Sequence, residues 1–143
     1  MMRPMRSIRL DVQTRGHCEL VDITARVRSS VREAGLREGV VLVYSQHTTA
    51  GITIQEGADP DVRRDLLRAL ENAVPESPPD GHWDHAEGNA PAHVKTALVG
   101  VSQLIPVAGG ELQLGTWQAV YLCEFDGPRA RQVLVQPLFD VSG

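Results

Sequence analysis

Seven short runs of strand-type residues, interrupted by only two well-marked helical stripes, leave few folds open to this chain of 143 residues. Residues 7–13 alternate apolar and polar, with Ile8, Leu10 and Val12 on one face, the period of a half-buried strand. Residues 40–45 form a short, nearly all-apolar run. Strand spacing resumes at 51–55, after the tetrapeptide His47-Thr48-Thr49-Ala50. Further strands are expected at 102–107, 112–114, 116–125 and 131–137, with turns at Gly109-Gly110, Gly115 and Asp126-Gly127-Pro128. Residues 19–36 place Leu20, Ile23, Val27, Val31 and Ala34 at helical spacing, with Asp22 or Thr24 as N-cap and Gly35 as a stop. In residues 59–73, Asp59 caps, Pro60 takes the first helical position, and Val62, Leu66, Leu67 and Leu70 make an apolar stripe. A third, short helix is expected at 92–98. Between the last two lies a long loop, 75–91, with prolines at 75, 78, 79 and 91 and no hydrophobic period. Helices and strands in mixed order, with no regular βαβ alternation, predict an α+β fold, and the length suits one domain spanning 1–143.

The charge balance narrows the function classes. Eighteen acidic against fourteen basic residues give a net charge of −4, which offers no general attraction to nucleic acid or an anionic membrane surface. The opening decapeptide has no apolar core of signal-peptide length, and no stretch approaches the roughly 20 apolar residues of a membrane span, so a cytoplasmic protein is expected. Cys18 and Cys123 lie in no zinc-type spacing. Cys123, inside an apolar strand run, reads as a buried small hydrophobe.

The chemistry-bearing residues cluster. Of five histidines, His47 stands in the His-Thr-Thr-Ala segment, and His82, His85 and His93 lie within twelve residues of one another. Three imidazoles suit a divalent ion of zinc type, but the spacing crosses a proline-containing loop and fixes no ligand, so from spacing alone surface histidines in a polar loop are the simpler reading. Glu56, Asp59, Asp84, Glu87 and Asn89 can act as base, ligand or orienting group, with Asp59 more simply a helix cap. Glu56, directly after a strand, and Glu87 are the candidate catalytic acids. Gly115, Thr116 and Gln118 form a corner whose amide and hydroxyl can hold a phosphate, with Arg129 and Arg131 beyond the next turn. Trp117, between them, reads as core.

The segments Asp22-Ile23-Thr24, HTTAGITIQEGADPDVRRDL, EGNAPAHVKTALVG and GELQLGTWQAVYLCEFDGPR together resemble the YjbQ family, also called secondary thiamine-phosphate synthases, over about residues 7–135. The resemblance implies an α+β fold around a β-sandwich-like mixed sheet, a homotrimer, and a histidine-lined pocket holding a metal or an anion. It also implies weak thiamine-phosphate synthase activity, joining a pyrimidine pyrophosphate to a thiazole phosphate. By the same resemblance His47, His93 and, through the Trp83-Asp84-His85 arrangement, His85 are the expected metal ligands, and Glu56 the family's acid. Thr48, Asn89, Gly115, Thr116, Gln118 and Arg129 are the expected substrate contacts, and the metal is zinc, or magnesium with a pyrophosphate. The loop 75–91 is expected to close over this pocket. Three functions follow as expectations: a transferase, a metal-assisted phosphate-ester hydrolase using Glu56 or Glu87, and a non-enzymatic trimer that binds a metabolite or anion.

Overall fold

The computed structural model describes residues 5–141; of the basic opening segment, residues 1–4 lie outside the described residues. The order is β1 (Ile8–Gln13), β2 (Glu19–Asp22), α1 (Thr24–Ala34), β3 (Gly39–Ser45), β4 (Ala50–Glu56), α2 (Pro60–Ala73) and α3 (Ala90–Val99), then β5 (Ser102–Ala108), β6 (Glu111–Leu112), β7 (Gln118–Glu124) and β8 (Ala130–Asp140). The strands form a five-stranded sheet, β1-β8-β3-β5-β6, and a three-stranded sheet, β2-β7-β4.

Alternation along the strands sends one set of side chains between the sheets. Leu10, Val12, Val41, Val43, Ile105, Val107, Val133 and Val135 of the large sheet meet Ile52, Val120 and Leu122 of the small one, and Val27 and Val31 of α1 join the same cluster. A second cluster lies on the other face of the small sheet. There Ala119, Tyr121, Cys123 and Phe125 pack with Ala92 and Val99 of α3 and Leu70 of α2. The fully buried Lys95 pairs with Glu71 at 2.6 Å and ties the two helices together.

The α+β class is as the sequence implies, with two corrections. The expected mixed sheet is antiparallel in every pairing among the described residues. Each helical connection carries the chain from the small sheet to the large one, so no βαβ unit forms within a sheet and nothing makes neighbours parallel. The helix expected at 19–36 loses its first turn, because residues 19–22 pair along the edge of β7 instead. Asp22 still serves the helix start: its carboxylate accepts the N–H of Thr24 at 2.9 Å and the hydroxyl at 2.6 Å. Gly35 ends α1 in the left-handed conformation, and Asp59 caps α2 by accepting the Asp61 N–H, both as read from the sequence.

Gly51 sets the distance between the small sheet and α3. A β-carbon there would lie 2.4 Å from the carbonyl oxygen of Gly100, which also accepts the N–H of Ile52 at 3.0 Å. Gly51→Ala is therefore expected to push the end of α3 off β4 and to cost about 1–3 kcal/mol of stability, the usual range for overpacking. Urea denaturation of the variant against the parent measures this; an unchanged midpoint would mean that the two backbones separate freely.

Candidate functional site

The turn between β3 and β4 carries His47, and polar contacts fix it from both sides. Ser45 Oγ donates to the Ala50 carbonyl at 2.7 Å and accepts the His47 N–H at 3.2 Å. Arg131 Nη2 donates to the Thr49 carbonyl at 3.3 Å and to the Thr49 hydroxyl at 2.8 Å. The β3–β8 ladder stops at the pair Ser45 and Val133, and the next β8 amide, the N–H of Gln132, donates to His47 Nε2 at 2.9 Å. The imidazole thus extends the ladder by one acceptor.

Beneath this turn lies a buried ion pair. Arg131 donates through Nε to Glu124 Oε1 at 2.8 Å and through Nη2 to Oε2, and the residues are 4% and 0% exposed. Glu124 also accepts the Thr14 hydroxyl at 2.7 Å and the Asp126 N–H at 3.0 Å. Burial alone would raise the Glu124 carboxyl, but the hydrogen bonds from Arg131, Thr14 and the Asp126 amide hold it below its ordinary 4.5. Burial, then the Arg131 charge, push the His47 imidazole below its ordinary 6.5 and favour the neutral ring.

His93 occupies the first turn of α3. It stands edge-on to His85, with ring centroids 5.1 Å apart at 80°, and shares a cavity of about 370 Å³ with His47, Thr48, Thr96, Ala97, Gly100 and Val101. His93 is thus the meeting point of the three expected ligands, and His85 rather than His82 is the loop histidine that reaches it. His82 stands exposed beside Asp84. The imidazoles do not converge on one point: among the described residues no group of three His, Cys, Asp or Glu side chains is placed to hold a metal ion. The loop between α2 and α3 has a support of its own, since Trp83 Nε1 donates to the carbonyls of Pro75 and Glu76 at 3.2 and 2.8 Å. Its last residues join α3, which starts at Ala90 rather than at 92.

Asn89 and Arg129 meet on Asp126, a residue that the sequence did not single out. Asn89 Nδ2 and Arg129 Nη2 each donate to Asp126 Oδ2 at 2.9 Å. Asn89 Oδ1 is the one buried side-chain polar atom among the described residues with no partner. Glu87 lies 3.6 Å from His85.

The remaining expected residues are elsewhere. Glu56 pairs with Gln118 at the far end of the β4–β7 ladder, six residues from Ala50 and therefore about 20 Å along the strand. Gly115 donates its N–H to Gln118 Oε1 at 2.8 Å. Glu56, Asp59 and Trp117 line one cavity of about 410 Å³, and Thr116, Gln118 and Arg28 line another of about 300 Å³ beside it. Within one chain these residues do not reach the histidines. Trp117, expected in the core, is 65% exposed because β7 begins one residue later. Arg131, expected as an anion contact, is consumed by Glu124 and Thr49. Cys123 is buried, as expected, and burial pushes its thiol up to about 12.

Two packed antiparallel sheets with two helices on one outer face, and a histidine pocket at the end of the smaller sheet, define a small α+β domain class. The chain belongs to the family described as UPF0047 protein YjbQ-like, whose model matches residues 8–139. It is 45% identical over 132 residues to the UPF0047 protein YugU of Bacillus subtilis, covering 89% of this chain and 95% of that protein. Identity is 43% over 129 residues to a UPF0047 protein of Methanocaldococcus jannaschii, covering 90% and 91%. Among solved structures, a YjbQ/UPF0047 family protein of Clostridium acetobutylicum superposes with a TM-score of 0.87 at 46% identity, covering 92% of this chain and 99% of that one. A YbjQ-like protein from Sulfolobus solfataricus, described as of unknown function, gives 0.90 at 31% identity, covering 98% and 99%.

The titrating groups of the site predict two windows of acid sensitivity. His47, lowered in the folded state, takes its proton first in the unfolded chain, so stability falls as pH drops below 6.5. Glu124, also lowered, contributes stability that is fully present above 4.5 and lost as pH falls through its folded value. Denaturation midpoints measured across pH should show both steps, and His47→Gln should remove the upper one. Glu124→Gln should cost about 3–5 kcal/mol at neutral pH by leaving Arg131 buried and unpaired. A loss under about 1 kcal/mol would contradict the buried pair.

Proposed function

We propose that this chain is a cytoplasmic transferase acting on phosphorylated small molecules in the cavity shared by His47 and His93, with thiamine-phosphate synthase-type activity. The observation that carries the reading is that His47 and His93, from separate segments, line one cavity large enough for a small ligand, with His85 edge-on to His93. In the reaction, the ring nitrogen of a thiazole phosphate forms a bond to the exocyclic carbon of a pyrimidine pyrophosphate while the carbon–oxygen bond breaks and pyrophosphate leaves with the electron pair. The attacking nitrogen carries no proton to remove. The chemistry therefore asks for stabilisation of a departing anion more than for a general base. In this reading Thr48 and the histidines stabilise that anion, and Glu87 is the acid beside His85, 3.6 Å away.

The three imidazoles, as they stand, do not fit a closed zinc site. A divalent ion belongs to this reading only as the companion of a pyrophosphate whose own oxygens ligate it beside His85 and His93, where it would neutralise leaving-group charge.

The proposal includes a homotrimer. Two surfaces support self-association. None of the α2 residues is buried, so its apolar stripe is only partly covered, and Tyr44 and Leu104 stand 39% and 60% exposed on the outer face of the large sheet. Glu56, Gly115, Thr116 and Gln118 enter the reaction only if a neighbouring copy brings them to the histidines.

Purified protein supplied with both substrates should form thiamine phosphate and release pyrophosphate, and His93→Ala should lower the rate at least about tenfold. Equal rates in parent and variant, or no product, would end the transferase reading. Light scattering should give three times the chain mass; a monomer at micromolar concentration would confine the site to one chain.

A further inference from the structure

The hydrogen bond between the Gln132 amide and His47 Nε2 determines which atom of the ring is left for a ligand. A nitrogen that accepts an N–H must carry its lone pair toward the donor, so Nε2 is unprotonated. The neutral ring then carries its proton on Nδ1, and that N–H is its remaining polar group. His47 lines the cavity that His93 and Thr48 also line.

We propose that His47 serves in this pocket as a fixed hydrogen-bond donor, through Nδ1–H, to a phosphate-type oxyanion, and that it is not a metal ligand. The ligand class rests on the phosphate reading above; the choice of atom does not. A metal at His47 would need either the Nε2 lone pair, already given to strand β8, or the deprotonation of Nδ1. Turning the ring over would orphan a strand amide, because β3 has ended at Ser45 and offers Gln132 no carbonyl. The turn resists such a rearrangement. Ser45 holds the His47 amide, and Arg131, locked by buried Glu124, holds Thr49 two residues on.

Two substitutions separate the functions of the two nitrogens. In His47→Gln the side-chain amide reaches roughly the place of Nε2 and can keep the Gln132 hydrogen bond without a donor at Nδ1. In His47→Asn the amide nitrogen falls near Nδ1, so the donor is kept while the Gln132 amide is left without its acceptor.

The test combines nitrogen-15 NMR of the imidazoles with calorimetric titration of zinc and of pyrophosphate into the full chain. The parent should show the Nδ1–H tautomer at His47, and zinc should leave the His47 signals unshifted. Pyrophosphate should bind about tenfold to a hundredfold more weakly to His47→Gln, the loss expected for one hydrogen bond to a charged group, with His47→Asn closer to the parent. An Nε2–H tautomer, a zinc-induced shift at His47, or parent-like pyrophosphate binding by His47→Gln would overturn the proposal. Pyrophosphate binding weakened by His47→Gln in a protein that forms no thiamine phosphate would support the donor role while ending the transferase reading.

Discussion

The ion pair of Glu124 and Arg131 is the joint on which the two sheets and the histidine pocket both depend. Glu124 closes β7 of the small sheet and Arg131 lies at the start of β8 in the large one, so their contact fixes the two layers at the end where the pocket lies. Removing two charges from water costs several kcal/mol each, and the cost is met here because nearly every lone pair and proton has a named partner. Glu124 accepts from Arg131, Thr14 and the Asp126 amide; Arg131 donates on to Thr49. One buried pair thus gathers the segment after β1, the turn before β4, the turn after β7 and the start of β8.

From that joint the geometry of the site follows outward. Thr49 held by Arg131 and Ser45 bonded to Ala50 define the turn, the turn aims the His47 ring at the Gln132 amide, and Gly51 lets the end of α3 come close to β4. α3 in turn presents His93 to the same cavity and to His85. Asp126, two residues past the end of β7, collects Asn89 at the start of α3 and Arg129 before β8. The pocket is therefore assembled by backbone turns around a buried polar core, which positions His47 through Thr49 and Gln132.

Much of this is legible in the chain itself, and the misses have physical causes. Strand alternation, the Asp59-Pro60 helix start and the Gly35 stop are local effects, and they appear where the spacing puts them. Residues 19–22 depart from expectation because Leu20 and Ile23 fit helical spacing, whereas pairing with β7 over four residues outweighs so short a stretch of propensity. Trp117 reads as core because it adjoins a buried strand, yet it ends the preceding turn and faces outward. The proximity of His85 to His93 is visible as composition, and their meeting with His47 only through the family resemblance. The separation of Glu56 and Gln118 from them is not, because it depends on which end of an antiparallel ladder each residue occupies, and that register is a tertiary fact. Arg131 escapes for the same reason: sequence shows a cation near a turn but not that the carboxylate seven residues earlier is buried against it.

A crystal structure with pyrophosphate bound is the most direct measurement of the central claim, that the cavity of His47 and His93 is an oxyanion site. Phosphate oxygens are expected in that cavity, one of them within hydrogen-bond distance of His47 Nδ1, with the Gln132 amide still bonded to Nε2. Pyrophosphate found only at the Glu56 and Trp117 end of the ladder, or a His47 ring turned away from Gln132 on binding, would contradict it.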